Sequence, residues 1–144
     1  MRFSNTIEIK RPPAEVFDYL ATPENIPAWN YAISESQRSP SGPIGVGTRI
    51  RQRRTLPRPA EEQLEITELL PGRRLVLAGD VGPLHGTLSY VLEPTSDGTR
   101  LTNAAELEAS GPLRLAAPLF AGRIRAAVAD NLATLKGVIE SGRA

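Results

Sequence analysis

The sequence predicts an α+β domain in which a strongly bent, seven-stranded antiparallel sheet wraps round a long C-terminal helix. Three observations carry this reading. Turn signals such as Ser39-Pro40-Ser41-Gly42-Pro43, Pro71-Gly72 and Ser96-Asp97-Gly98 recur at short, even intervals, as they do in an antiparallel meander. Segments 84–93 and 99–109 alternate apolar with polar residues, so one face of the sheet is buried and the other is wet. Beyond Pro112 the pattern changes, and apolar side chains recur every three or four positions, the period of a helix.

Taken in order, Phe3 to Lys10 reads as the first strand, with Phe3, Ile7 and Ile9 on one face and Ser4, Thr6, Glu8 and Lys10 on the other. Arg11-Pro12-Pro13 ends it, because two prolines cannot continue a ladder. Pro13 suits the first turn of a helix over residues 13–20, which carries Val16, Phe17 and Leu20 at helical spacing. Thr22-Pro23 opens a second short helix, which Pro27 is expected to stop within a turn. Six further strands are expected near residues 31–38, 46–55, 61–69, 74–80, 84–93 and 99–109. In the terminal helix Phe120, Ile124, Val128, Leu132, Leu135 and Ile139 form one apolar stripe, and Gly142 suits the stop. Two starts fit: at Pro118, or at Pro112 with a kink before Leu119.

A chain of 144 residues fits one domain, residues 1–144, of the size that buries roughly 70% of its unfolded surface. With 17 basic and 16 acidic residues the net charge is +1. That balance gives no overall electrostatic footprint for nucleic acid or an anionic membrane. Cysteine is absent and His85 is the one histidine, so disulfides, thiolate nucleophiles and Cys/His zinc sites are excluded and neither metal nor cofactor is expected. No stretch reaches the length of a membrane span and no signal-peptide core precedes the first strand, so a cytoplasmic protein is expected.

The particular words at each end of this pattern resemble the polyketide cyclase/dehydrase and lipid-transport family of the START-like (SRPBCC) superfamily. They are Ile7-Glu8-Ile9, then Pro12-Pro13-Ala14-Glu15-Val16-Phe17-Asp18-Tyr19-Leu20, and Ala21-Thr22-Pro23-Glu24-Asn25-Ile26-Pro27-Ala28-Trp29. Ile66-Thr67-Glu68-Leu69-Leu70-Pro71-Gly72-Arg73-Arg74-Leu75, Gly98-Thr99-Arg100-Leu101-Thr102 and Leu135-Lys136 continue the likeness. The resemblance covers essentially the whole chain. It implies the helix-grip fold of the birch pollen allergen and a small hydrophobic ligand held between sheet and terminal helix; a homodimer is compatible with it. The family includes carriers, cyclases and dehydratases, so fold does not fix activity.

The residues themselves offer little for most catalytic chemistries. Gly45-Val46-Gly47 lacks the third glycine and following helix of a dinucleotide site, and no G-x-S-x-G occurs. His85 falls on the outer face of its strand, in phase with Thr87 and Ser89. Arg49, Arg51 and Arg53 also face outward. Pairing Arg54 with Glu62 would set Gln52 against Leu64, Ile50 against Ile66 and outer Arg51 against Glu65, a cross-strand charge pair. The inner face combines Ile50, Leu64, Ile66, Leu88 and Leu101 with polar Gln52, Arg54, Glu62, Tyr90 and Asn103. Buried polar groups must find partners or line a cavity. Arg54 and Glu62 either line it or pair at its edge. Trp29 and Phe120 are expected to close it.

Three functions fit: a binder of an apolar or aromatic ligand (polyketide-, lipid- or isoprenoid-like), a cyclase/dehydratase in which Arg54, Tyr90 and Glu62 polarise and deprotonate a carbonyl compound, or a lipid or quinone chaperone without catalysis.

Overall fold

The computed structural model describes residues 1–142; the last two residues of the expected 1–144 domain lie outside the described residues. Its strands are β1 (Arg2–Ile9), β2 (Ile33–Ser39), β3 (Arg49–Arg54), β4 (Ala60–Leu70), β5 (Arg74–Val81), β6 (Leu84–Pro94) and β7 (Thr99–Ala109). Helices α1 (Pro13–Leu20) and α2 (Ile26–Trp29) follow β1, with a 3-10 turn (Pro23–Asn25) between them, and α3 (Leu113–Glu140) closes the chain. All seven strands form one antiparallel sheet in the order β1-β7-β6-β5-β4-β3-β2. The expected architecture is present, with every strand within a few residues of its expected limits. No helix among the described residues is long and apolar enough to cross a membrane.

Two glycines meet in the β5–β6 ladder. Gly79 of β5 and Gly86 of β6 are register partners, with φ of 150° and 153°. A Cβ on Gly79 would stand 2.3 Å from the Gln63 carbonyl oxygen, and one on Gly86 would stand 2.0 Å from that of Glu106. The backbones of β4 and β7 therefore close in where no side chain holds them apart.

Helix α1 starts at Pro13 and buries Val16, Phe17 and Leu20 against the core. The second helix departs from expectation. Pro27 does not stop it; it sits in the first turn of α2, where a missing N–H leaves no intrahelical bond unmade. Thr22 does not cap the preceding turn with its side chain, and its hydroxyl instead donates to the Asp18 carbonyl at 2.7 Å.

The β3–β4 register is also corrected. Arg54 faces Ala60, Gln52 faces Glu62, Ile50 faces Leu64 and Arg51 faces Gln63. The hairpin closes over residues 55–59, two residues sooner than the expected pairing required. A slip of two leaves every side chain on its expected face but changes its neighbours. The Arg51–Glu65 pair does not form; Arg49 approaches Glu65 at 3.8 Å and Arg53 approaches Glu61 at 2.8 Å.

Helix α3 takes the second of the two expected starts and runs through Pro118. At 28 residues it is about 42 Å long at 1.5 Å per residue. Leu132, Leu135 and Ile139 are buried, Ile124 and Val128 are half-buried, and Phe120 is 37% exposed. The stripe thus opens toward the helix's N-terminal end, where Phe120 falls on its flank. The other end is fastened to β1. Lys136 Nζ donates to the Glu8 carbonyl at 2.7 Å, the Lys10 amide donates to the Glu140 carboxylate at 2.8 Å, and Arg11 Nη2 donates to the Glu140 carbonyl at 2.7 Å. A cation at a helix C-terminus also meets the negative end of the helix dipole.

Candidate ligand cavity

A cavity of about 80 Å³ lies between the concave face of the sheet, the α1–α2 plug and α3. Its wall is mainly apolar, with Leu20 from α1, Ile50, Leu64, Leu75 and Leu88 from the sheet, and Val128 from α3. Of the seven residues expected from sequence, Trp29, Gln52, Arg54, Tyr90 and Asn103 line it. Glu62 stands behind the wall and Phe120 on the outer edge of α3; neither is among the lining residues.

Tyr90 and Asn103 face one another across the β6–β7 ladder. Burial pushes the Tyr90 phenol up to about 12, because ionisation would place a charge in an apolar wall. At neutral pH it is a hydrogen-bonding hydroxyl rather than a base. Asn103 donates through Nδ2 to the Ser89 carbonyl at 3.3 Å, while its Oδ1 is buried without a protein partner. The same holds for Trp29 Nε1 and for Oδ1 of Asn131 on α3. Both residues line the cavity. Buried polar atoms are nearly always hydrogen-bonded, and an unmet one costs about 1–3 kcal/mol. One donor and two acceptors of this kind around one cavity is a concentration with a direction.

Arg54 lines the cavity and pairs with Glu62, which itself stays behind the lining. The guanidinium reaches the cavity and also binds the Glu62 carboxylate, with Nη2 to Oε1 at 3.1 Å. Gln52 Nε2 donates to the same oxygen at 2.9 Å, and Oε2 accepts from Arg54 Nε and the Gly82 amide. The Glu62 side chain is 1% exposed. Four donors occupy its oxygens, so it has no free lone pair to take a proton from a substrate. It serves instead to neutralise Arg54 and to tie the β5–β6 turn to β4. Outside the cavity, His85 is exposed opposite Asp80 on the convex face. Arg53 is held there by Glu61 and by Glu35 at 3.5 Å, which raises its pKa, chiefly through the Glu61 hydrogen bond.

Asn131 is among the lining residues that sequence reasoning missed. The signal was available: it lies seven residues after Ile124, three after Val128 and four before Leu135, inside the apolar stripe and not beside it.

The model of a family described as polyketide cyclase/dehydrase and lipid transport matches residues 1–140. None of the curated proteins matches this sequence. Among solved structures, TTHA0849 from Thermus thermophilus is similar over 100% of this chain and 99% of its own, at 17% identity and a TM-score of 0.79. The di-domain ARO/CYC StfQ of the steffimycin biosynthetic pathway is similar over 99% of this chain and 51% of its own, at 15% identity and a TM-score of 0.79. The Aha1 dimer from Colwellia psychrerythraea is similar over 100% of this chain and 99% of its own, at 18% identity and a TM-score of 0.71. At these identities the structures speak for the fold.

Proposed function

Because this chain belongs to the polyketide cyclase/dehydrase and lipid-transport family, we propose that it acts as a single START-like domain binding a small apolar or aromatic molecule that bears hydroxyl or carbonyl groups. The observation that carries the reading is the set of unpartnered atoms in the apolar wall: Trp29 Nε1, Asn103 Oδ1 and Asn131 Oδ1. A ligand with one acceptor and one or more donors would satisfy them, with the Tyr90 hydroxyl as a further contact. Pure hydrocarbon would leave all three unmet.

A cavity of about 80 Å³ holds several water molecules but falls short of the roughly 300–1,000 Å³ of sites for drug-sized ligands. A larger ligand enters when a wall yields. The wall suited to yield is the N-terminal half of α3, where Ile124 and Val128 are half-buried, whereas Leu132, Leu135 and Ile139 are locked.

Binding without catalysis is favoured over cyclase or dehydratase activity by the state of Glu62. The carboxylate that would deprotonate a bound carbonyl compound is outside the lining and engaged by four donors. The neutral Tyr90 phenol cannot replace it as a base near pH 7.

2-Naphthol, an apolar fluorophore whose hydroxyl both donates and accepts, tests the reading. It should bind with enhanced fluorescence, and Tyr90→Phe or Asn103→Leu should weaken binding by about fivefold, the equivalent of one net hydrogen bond. Arg51→Ala, on the convex face, should leave it unchanged. Absence of binding, or sensitivity to Arg51 with Tyr90 and Asn103 silent, overturns the proposal. Native mass spectrometry of the purified protein would then give the mass of any co-purified ligand.

A further inference from the structure

The outward face of α3 at its N-terminal half is apolar where a surface helix is ordinarily polar. Leu115 is 89% exposed and Leu119 is 79% exposed. They share one side of the helix with exposed Gly122 and Ala126, at the i, i+4, i+7, i+11 spacing of a single stripe. This stripe points away from the one formed by Leu132, Leu135 and Ile139. At about 100° per residue, exposed Arg114 and Arg125 fall along one of its margins and exposed Arg123 along the other. Residues 110–129 contain these three arginines and no acidic residue. The chain's near-zero net charge therefore conceals a local excess of positive charge centred on an exposed apolar ridge.

We infer that this face of α3 docks on an anionic lipid surface. An apolar ridge bordered on both sides by arginines is the layout of a helix lying in a membrane interface. Leucines enter the acyl boundary while long cationic side chains reach back to the headgroups. The charge selects this occupant over a second copy of the chain. Two copies meeting ridge to ridge would bring six arginines together along residues 110–129, where neither copy has a carboxylate, whereas anionic headgroups supply the missing counter-charge. The docked helix is the one whose opposite side lines the cavity through Ile124, Val128 and Asn131. The inference does not depend on what the cavity holds, since the ridge and its arginines lie outside it.

Co-sedimentation of the full chain with vesicles tests this. The protein should pellet with phosphatidylcholine vesicles containing phosphatidylglycerol and remain in solution with phosphatidylcholine alone. Leu115→Ser/Leu119→Ser should abolish pelleting. Arg114→Gln, Arg123→Gln or Arg125→Gln should each reduce it about fivefold, as expected for one cation at an anionic surface. All these side chains are exposed, so circular dichroism and thermal melting should match the parent protein. Failure to pellet with the anionic vesicles overturns the inference. Pelleting that survives Leu115→Ser/Leu119→Ser does so too, because charge alone then suffices. A dimer in light scattering that Leu115→Ser/Leu119→Ser makes monomeric assigns the ridge to a second copy, and also overturns it. None of these results bears on 2-naphthol binding, so the two proposals stand or fall separately.

Discussion

Tyr90 of β6 and Asn103 of β7 are register partners on the concave face of the sheet, and the Asn103 amide oxygen has no protein donor. Asn131 offers a second such oxygen from the opposite wall. Side chains that cost stability and face a cavity invite a test in which stability and binding move in opposite directions.

Asn131→Leu should raise stability by about 1–2 kcal/mol, since it replaces an unmet buried polar group with an apolar one of similar size. The same change should weaken binding of 2-naphthol, whose hydroxyl can donate to the Asn131 oxygen. Urea denaturation and fluorescence titration on one preparation give both numbers. A loss of stability would show that Asn131 is structurally satisfied.

The pH dependence of stability should carry the mark of Tyr90. Its folded pKa of about 12 exceeds the ordinary value of about 10 for an unfolded tyrosine. The neutral phenol is therefore favoured by folding, and its contribution is intact below pH 10. Between about pH 10 and 12 the unfolded chain has lost the proton that the folded one retains. Stability should fall there by roughly 1.4 kcal/mol per pH unit. Tyr90→Phe should flatten this limb when denaturation midpoints are compared across the range.

Removing the Glu62 carboxylate should be costly. Glu62→Ala strands the Arg54 guanidinium and the Gly82 amide, and loss of one partner of a buried pair typically costs about 3–5 kcal/mol. The double variant Arg54→Met/Glu62→Leu should recover much of that loss, because it removes both charges. Chemical denaturation of the three proteins separates a buried ion pair from a merely well-packed position.

The two ends of the α3 stripe should respond differently to truncation. Leu132→Ala should cost about 2–5 kcal/mol as a large-to-small core change. Phe120→Ala, at a position 37% exposed, should cost less than about 1 kcal/mol. Equal losses in urea would mean that Phe120 packs as Leu132 does.

These residues also mark how far the sequence could be read. Strand positions and faces were legible because turn residues and two-residue alternation are local signals. The β3–β4 neighbours were not, because an even slip preserves the faces and the hydrophobic pattern does not penalise it. For the same reason Gln52, Arg54, Tyr90 and Asn103 were found on the cavity side, yet of the partners of Glu62 only Arg54 was expected, and Gln52 and the Gly82 amide were not. Pro27 was misjudged because a proline stops a helix or opens one according to where the first turn begins. Phe120 kept the helical period, but periodicity does not tell where α3 runs beyond the tightly packed core. Nor does any sequence pattern encode a volume: the small cavity depends on how closely the walls approach, which the glycine pair 79/86 influences through the backbone.

Pro118 divides α3 in its hydrogen-bond ladder. With no N–H to offer, it leaves the Arg114 carbonyl without its intrahelical bond, and a proline within a helix costs about 3 kcal/mol. The rungs on its N-terminal side are thus coupled less firmly to those beyond Leu132 than an unbroken ladder would make them. Opening of the first turns need not propagate into the segment clamped to β1. In the language of amide exchange, the helix should open as two cooperative units of different depth, the shallower one carrying Leu115 and the deeper one the core. Evolution can therefore vary the outer unit, in length or in side chains, at little expense to the folding of the rest.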